Sequence, residues 1–265
     1  MSLWVAALMG LIQGLTEFLP VSSSGHLELA KALLGDEALT EAGLHFTIVL
    51  HAATALATIM VFRKDIAAIL IGLVQGDSDS LKFALAIILS MIPAVFVGLA
   101  YEDELDRLFS GSVNFVASML MITGFLLLLA DRAKNTKRSV GPGQAALIGI
   151  AQAIAMLPGI SRSGATIATS VLLGVDRSKA ARFSFLMVVP LILGKMLIDI
   201  RSMAVGSYSG DVALLPLMVG FAVAFIVGVF ACRFMIERVK RARLSDFAWY
   251  CFLIAGLSFS WQLLI

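Results

Sequence analysis

The sequence predicts an all-α integral membrane protein with six transmembrane helices and two re-entrant helical hairpins, related as an inverted-topology repeat. Three observations predict it: the composition, the spacing of apolar stretches between basic segments, and a weak internal similarity. Hydrophobic residues make up 60% of the 265-residue chain and charged residues 14%, where ordinary soluble proteins carry roughly 25% charged residues. A globule so apolar could not cover its own surface, and a mean hydropathy of +0.97 points to lipid as the solvent. The formal net charge of +2 is too small for a nucleic-acid binder. Cys232 and Cys251, both in apolar stretches, exclude a disulfide framework and a cysteine metal site. No Lys or Arg precedes Lys31, so the N-terminus lacks the basic flank of a secretory signal and is expected in the mature chain.

A helix needs about 20 apolar residues to cross a bilayer. Six stretches meet that need, at approximately 44–62, 83–100, 113–130, 183–200, 212–236 and 247–264. Two more apolar regions, 1–34 and 144–175, are broken near the middle by Pro, Gly and clustered Ser. Most of the 20 Lys and Arg fall in four segments: Arg63 to Lys82, Arg132 to Arg138, Arg177 to Arg182, and Arg233 to Arg243. The positive-inside rule assigns these to the cytoplasm. The intervening loops, with Asp36, Glu37 and Glu41 and then Glu102, Asp103, Glu104 and Asp106, fall outside. Counting through, 1–34 starts and ends outside and 144–175 starts and ends inside. Both are therefore expected to be re-entrant hairpins, inserted from opposite faces.

The two broken regions also match at a constant offset. Gly10 pairs with Gly149, Gln13 with Gln152, Ser22 with Ser161, Ser24 with Ser163 and Gly25 with Gly164. The chain therefore reads as one polytopic domain over 1–265, with a first repeat of about 1–130 and a second of about 144–265. Inverted repeats of this kind are an architecture of secondary transporters. Irregular backbone at membrane depth survives only when buried in protein or lining a wet cavity. The tips at 20–26 and 158–164 are thus expected to meet in the core.

Those tips carry the polar residues. Gln13 and Glu17 lie four apart on one helical face, followed by Ser22, Ser23, Ser24 and His26. A carboxylate among apolar residues is costly and points to function, and a histidine beside hydroxyls suits acid–base or nucleophilic work. The second tip sets Arg162 between Ser161 and Ser163, with a helix expected to start near Gly164. Guanidinium, hydroxyls and helix-terminal amides make an anion-binding set. The competing reading is an Arg162–Glu17 pair that only ties two loops together. Taken as a site, the constellation suits a phosphate or diphosphate whose other end is a lipid. No G-x-x-x-x-G-K-[ST], H-E-x-x-H or G-x-S-x-G motif is present, which excludes nucleotide-driven, zinc-peptidase and hydrolase-elbow chemistry.

Residues 13–26, reading Q-G-L-T-E-F-L-P-V-S-S-S-G-H, resemble the first signature of the bacterial undecaprenyl-diphosphatase family. Residues 158–166, reading P-G-I-S-R-S-G-A-T, resemble its second. The resemblance implies dephosphorylation of undecaprenyl diphosphate, which recycles the lipid carrier for peptidoglycan and other envelope glycans and is linked to bacitracin resistance. It also implies a bacterial inner-membrane location, a site open to the outer side and dependence on a divalent cation. Carried across by motif, Glu17, Ser23, His26 and Arg162 form the catalytic core, with Gln13, Ser24, Ser161, Ser163 and Thr166 binding substrate. Glu17, with Gln13 as a neutral oxygen donor, would hold Mg²⁺ or Ca²⁺, which prefer oxygen ligands. Gln13 departs from family members with Glu there, which puts a two-carboxylate metal site in doubt. The nucleophile stays open between His26, Ser23 and water. A different lipid-phosphatase superfamily needs a second His after its S-R pair, and no His follows Arg162.

Elsewhere, His51, Thr54 and Thr58 share one face of the first span, either extending the site or facing the hairpins structurally. Lys195 and Asp199 are expected to pair near the outer surface. The rival functions are an inverted-repeat transporter of a polyprenyl phosphate or small anion, and a non-catalytic scaffold. The expected partners are a polyprenyl diphosphate and membrane lipid, not nucleic acid, and a homodimer is compatible with the reading.

Overall fold

The computed structural model describes residues 1–34, 43–108, 112–134, 136–204 and 214–264, without the side chains of 43–45, 102, 106, 195 and 199–204. The expected outer acidic residues Asp36, Glu37 and Glu41 lie outside the described residues, as do the side chains of Lys195 and Asp199. Among the described residues the secondary structure is eleven α-helices with no strand, only an isolated bridge between Arg138 and Val175. They are α1 (Leu3–Thr16), α2 (Ser23–Leu34), α3 (Gly43–Val74), α4 (Ser78–Ala100), α5 (Glu102–Leu108) and α6 (Val113–Asp131). Then follow α7 (Pro142–Ile154), α8 (Arg162–Leu172), α9 (Arg177–Ala204), α10 (Leu214–Lys240) and α11 (Ser245–Leu264).

Five helices are long and apolar enough to cross a membrane by length and composition: α4, α6, α9 over Arg177–Ile198, α10 and α11. The chain is a multi-pass membrane protein. The sixth expected stretch, 44–62, lies within α3, a 32-residue helix that continues through Arg63, Lys64 and Asp65. At 1.5 Å per residue α3 is about 48 Å long, more than a hydrocarbon core of about 30 Å requires. The acidic segment read as a plain outer loop contains the short helix α5.

Helix starts follow local chemistry. Ser112 caps α6 by accepting from Phe115 N at 3.2 Å, and Asp77 caps α4 by accepting from Ser80 N at 2.8 Å. Pro142 occupies the first turn of α7, where its missing N–H costs nothing. Each broken apolar region forms two short helices around an irregular tip: α1 and α2 around 17–22, α7 and α8 around 155–161.

The packing between the halves is reciprocal. Helices α1 and α3 pack against α10, while α7 and α9 pack against α4. Gly10 and Gly149, paired in the sequence, occupy matching contacts. A Cβ on Gly10 would stand 2.6 Å from the Gly220 carbonyl oxygen, and one on Gly149 would stand 2.6 Å from that of Ser90. Only a hydrogen fits at either place. The main core gathers Phe18, Leu120, Leu127, Ile167 and Phe185 around the hairpins. Outward, α4 exposes Leu85, Ile88, Ile92, Phe96 and Leu99 along one face, a stripe suited to lipid. Cys232 and Cys251 are buried and unpaired.

Candidate active site

The first tip bends beyond α1, which ends at Thr16 with Glu17 as its C-cap. Ser22 adopts a φ of +71°, a left-handed conformation that costs about 1–3 kcal/mol for a non-glycine residue. Hydrogen bonds offset that strain. Ser22 Oγ accepts from Gly25 N at 3.2 Å, and its carbonyl accepts from His26 N at 3.1 Å. The second tip turns at Gly159 with φ +97°, where a Cβ would strike the Val116 carbonyl oxygen at 2.5 Å. Thr123 of α6 pins it, donating its hydroxyl to Gly159 O at 3.2 Å and accepting from Ser161 N at 3.1 Å. Helix α8 begins at Arg162, slightly earlier than expected, with Ser161 as N-cap accepting from Gly164 N at 3.0 Å.

The two tips meet, as the sequence predicts. Ser163 Oγ donates to Leu19 O at 3.3 Å, and Arg162 Nη2 forms an ion pair with Glu17 Oε1. Glu17 Oε2 accepts from Ser23 Oγ at 2.6 Å and from Gln13 Nε2 at 3.1 Å. Thus Gln13, Glu17, Ser23 and Arg162 form one connected network, with the Glu17 side chain 8% exposed and that of Arg162 19%.

The ion pair alone matches the tie-only reading, but two atoms do not. Gln13 Oε1 and Arg162 Nη1 are buried with no hydrogen-bond partner among the described residues. Orphaned buried polar atoms cost roughly 1–3 kcal/mol each. Within a single network, an acceptor and a cationic donor left open are what a bound ligand would satisfy.

The remaining site residues stand in a second ring. Ser161 Oγ and Ser163 Oγ lie 3.3 Å apart, as do Ser22 Oγ and Ser24 Oγ. Thr166 turns away from the tip: its hydroxyl donates to Arg162 O at 2.8 Å and lies 2.5 Å from Ser184 Oγ. His26 does not join the Glu17 network. Its Nδ1 lies 2.8 Å from Ser22 O and its Nε2 3.0 Å from the Tyr250 hydroxyl. Thr54 and Thr58 are buried and hydrogen-bond to carbonyls of their own helix, which is the structural reading of that stripe. Sequence reasoning missed Thr123, Ser184 and Tyr250. Each sits singly on an ordinary apolar helix, with no local pattern to mark it.

Beside the tips lies an open cavity of about 380 Å³, lined by Leu15, Leu19, Val21, Phe234 and Tyr250 and carrying Arg238 and Asp246.

The chain is similar to known proteins over nearly its whole length. Residues 6–257 match the family described as bacitracin resistance protein BacA. The undecaprenyl-diphosphatase of Christiangramia forsetii is 56% identical over 255 residues, covering 96% of each chain. That of Parabacteroides distasonis is 46% identical over 260 residues, covering 97% of each. That of Carboxydothermus hydrogenoformans is 37% identical over 259 residues, covering 96% of this chain and 95% of its own. With the match running through both hairpins and nearly every helix, the chain belongs to the bacitracin resistance protein BacA family.

Proposed function

We propose that this protein hydrolyses undecaprenyl diphosphate to undecaprenyl phosphate and inorganic phosphate, the activity for which its relatives are named. One observation carries the reading at the level of atoms: Arg162 Nη1 and Gln13 Oε1, buried and without a partner among the described residues, flank a carboxylate already bonded to a hydroxyl.

Arg162 keeps one nitrogen on Glu17 and offers the other to the terminal phosphate, whose charge the amino end of α8 also favours. Ser161 adds a hydroxyl donor at the same tip, beside Ser163, whose own proton is given to Leu19 O. Ser23 is the hydroxyl held on a carboxylate, which is nucleophile–base geometry. Its Oγ attacks the terminal phosphorus and its proton passes to Glu17. The bond to the bridging oxygen breaks, and the undecaprenyl phosphate leaves with that proton. Water then hydrolyses the phosphoserine, restoring the Ser23 hydroxyl and releasing phosphate. Glu17, its first proton given up, takes the proton of that water and returns it to Ser23 Oγ as the phosphorus–oxygen bond breaks. His26, one helical turn from Ser23 on α2, is held at both ring nitrogens and steadies the hairpin that presents that hydroxyl.

The donor set also fits a divalent cation of the Mg²⁺ or Ca²⁺ type. Among the described residues no three His, Cys, Asp or Glu side chains cluster as a metal cage. Glu17 and the open Gln13 Oε1 instead suit an ion that completes its shell with water and diphosphate oxygens. Such an ion supplies charge neutralisation at the transferring phosphoryl group.

The arrangement in the membrane belongs to the same reading. With α3 as a sixth span, the α1–α2 and α7–α8 pairs are re-entrant hairpins inserted from opposite faces of the bacterial inner membrane, and the site opens to the periplasm. The reciprocal packing of α1 on α10 and of α7 on α4 supports an inverted repeat.

The test is phosphate release from undecaprenyl diphosphate by protein purified in detergent, with Mg²⁺ or Ca²⁺ supplied. Release without any membrane gradient is expected. A transporter of the lipid carrier would release none.

A further inference from the structure

His26 is held at both ring nitrogens, from two distant parts of the chain. Nδ1 faces the Ser22 carbonyl at 2.8 Å, inside its own hairpin. Nε2 faces the Tyr250 hydroxyl at 3.0 Å, across to α11. The two rings lie nearly parallel, 9° apart, with centroids separated by 5.6 Å. A carbonyl oxygen only accepts, so a neutral His26 must carry its proton on Nδ1. Nε2 is then the basic nitrogen, and the Tyr250 hydroxyl is its donor.

We infer that Tyr250 is a positioning residue for the phosphatase reaction: with the tautomer of His26 set by the Ser22 carbonyl, the Tyr250 hydroxyl fixes the plane of the ring. The inference rests on the hydrolase reading above for its kinetic part only. Ser22 alone would hold one nitrogen and leave the other end of the ring unanchored. The strained backbone of Ser22 and the span carrying Tyr250 together define one orientation. Tyr250 also lines the open cavity beside the tips and is 39% exposed. Removing its hydroxyl therefore subtracts a hydrogen bond and little packing.

The test joins a spectrum with kinetics. The chain has three histidines, His26, His45 and His51. With ¹⁵N-labelled histidine, the His26 resonances are assigned by their loss in His26→Gln. At alkaline pH the wild-type ring is expected to be protonated at Nδ1 and bare at Nε2. A neutral ring protonated at Nε2 would overturn the inference with no mutant involved. In Tyr250→Phe the Nε2 resonance should move towards that of a free lone pair, while His51 stays in place as a check on folding. The kcat for phosphate release should fall about five- to tenfold, the loss of one neutral hydrogen bond, with KM unchanged. An unmoved Nε2 resonance with wild-type kcat, or a change confined to KM, sinks the proposal. Absence of phosphate release by the wild-type protein would instead sink the hydrolase reading and leave the spectral result standing.

Discussion

Glu17 carries three partners on two oxygens, and each partner is a separate handle on the chemistry. Arg162→Ala leaves a buried carboxylate without its cation and removes the proposed donor to the diphosphate. Phosphate release should fall by at least about 10²–10³-fold, the scale of losing one preorganised charge-stabilising donor. Glu17→Ala should do the same, and wild-type turnover in either variant would remove that residue from the site. Ser23→Ala separates the possible nucleophiles: the proposed covalent route predicts loss of a phosphoserine trapped by rapid acid quench, together with loss of turnover. Retained turnover would pass the attack to water. Much of this site was legible in the sequence, because Gln13, Glu17, Ser23 and Arg162 stand in two compact polar runs inside apolar surroundings. Tyr250 was not, since an aromatic residue near the end of a span ordinarily reads as an interface anchor. Its contact with His26 joins residues 224 positions apart.

Between elements, the close approaches at Gly10 and Gly149 make sharper demands than most of the core. Gly10→Ala and Gly149→Ala each place a methyl 2.6 Å from a carbonyl oxygen. Overpacking of this kind costs about 1–3 kcal/mol, so both variants should melt at lower temperature in detergent. Gly256→Ala, with open space around its Cβ position, should not. At the start of α4, Asp77 is fully exposed, and its hydrogen bonds from Ser80 hold its carboxyl below the usual range. The sign follows: the cap is complete above the ordinary carboxylate range and is lost as pH falls through the lowered value. Amide exchange at the first turn of α4 should accelerate there, and Asp77→Asn should flatten that dependence. Sequence reading placed the helices but not their ends. Hydropathy drops at Arg63, Lys64 and Asp65, yet helical propensity carries α3 on to Val74.

Across the molecule, the orientation assigned by basic residues makes a prediction that needs no enzyme assay. The two native cysteines are buried, so single introduced thiols report against a quiet background. A membrane-impermeant maleimide applied to spheroplasts should label Asp103→Cys and spare Ser139→Cys, both at exposed positions. The opposite pattern would turn the site to the cytoplasm. Five of the six expected spans were readable as long apolar stretches, because length and hydropathy alone mark them. The exchange of partners between halves was not, since nothing along the chain says which helix α1 will choose.

That exchange reaches back to biosynthesis. The seat of Gly10 is Gly220, which leaves the ribosome only after most of the polypeptide has been made. Until then the opening hairpin has no groove to fill, and its acidic tip must wait at the bilayer edge or in the insertion machinery. Nascent chains arrested before α10 should therefore leave the first thirty or so residues open to protease, and those arrested after it should not.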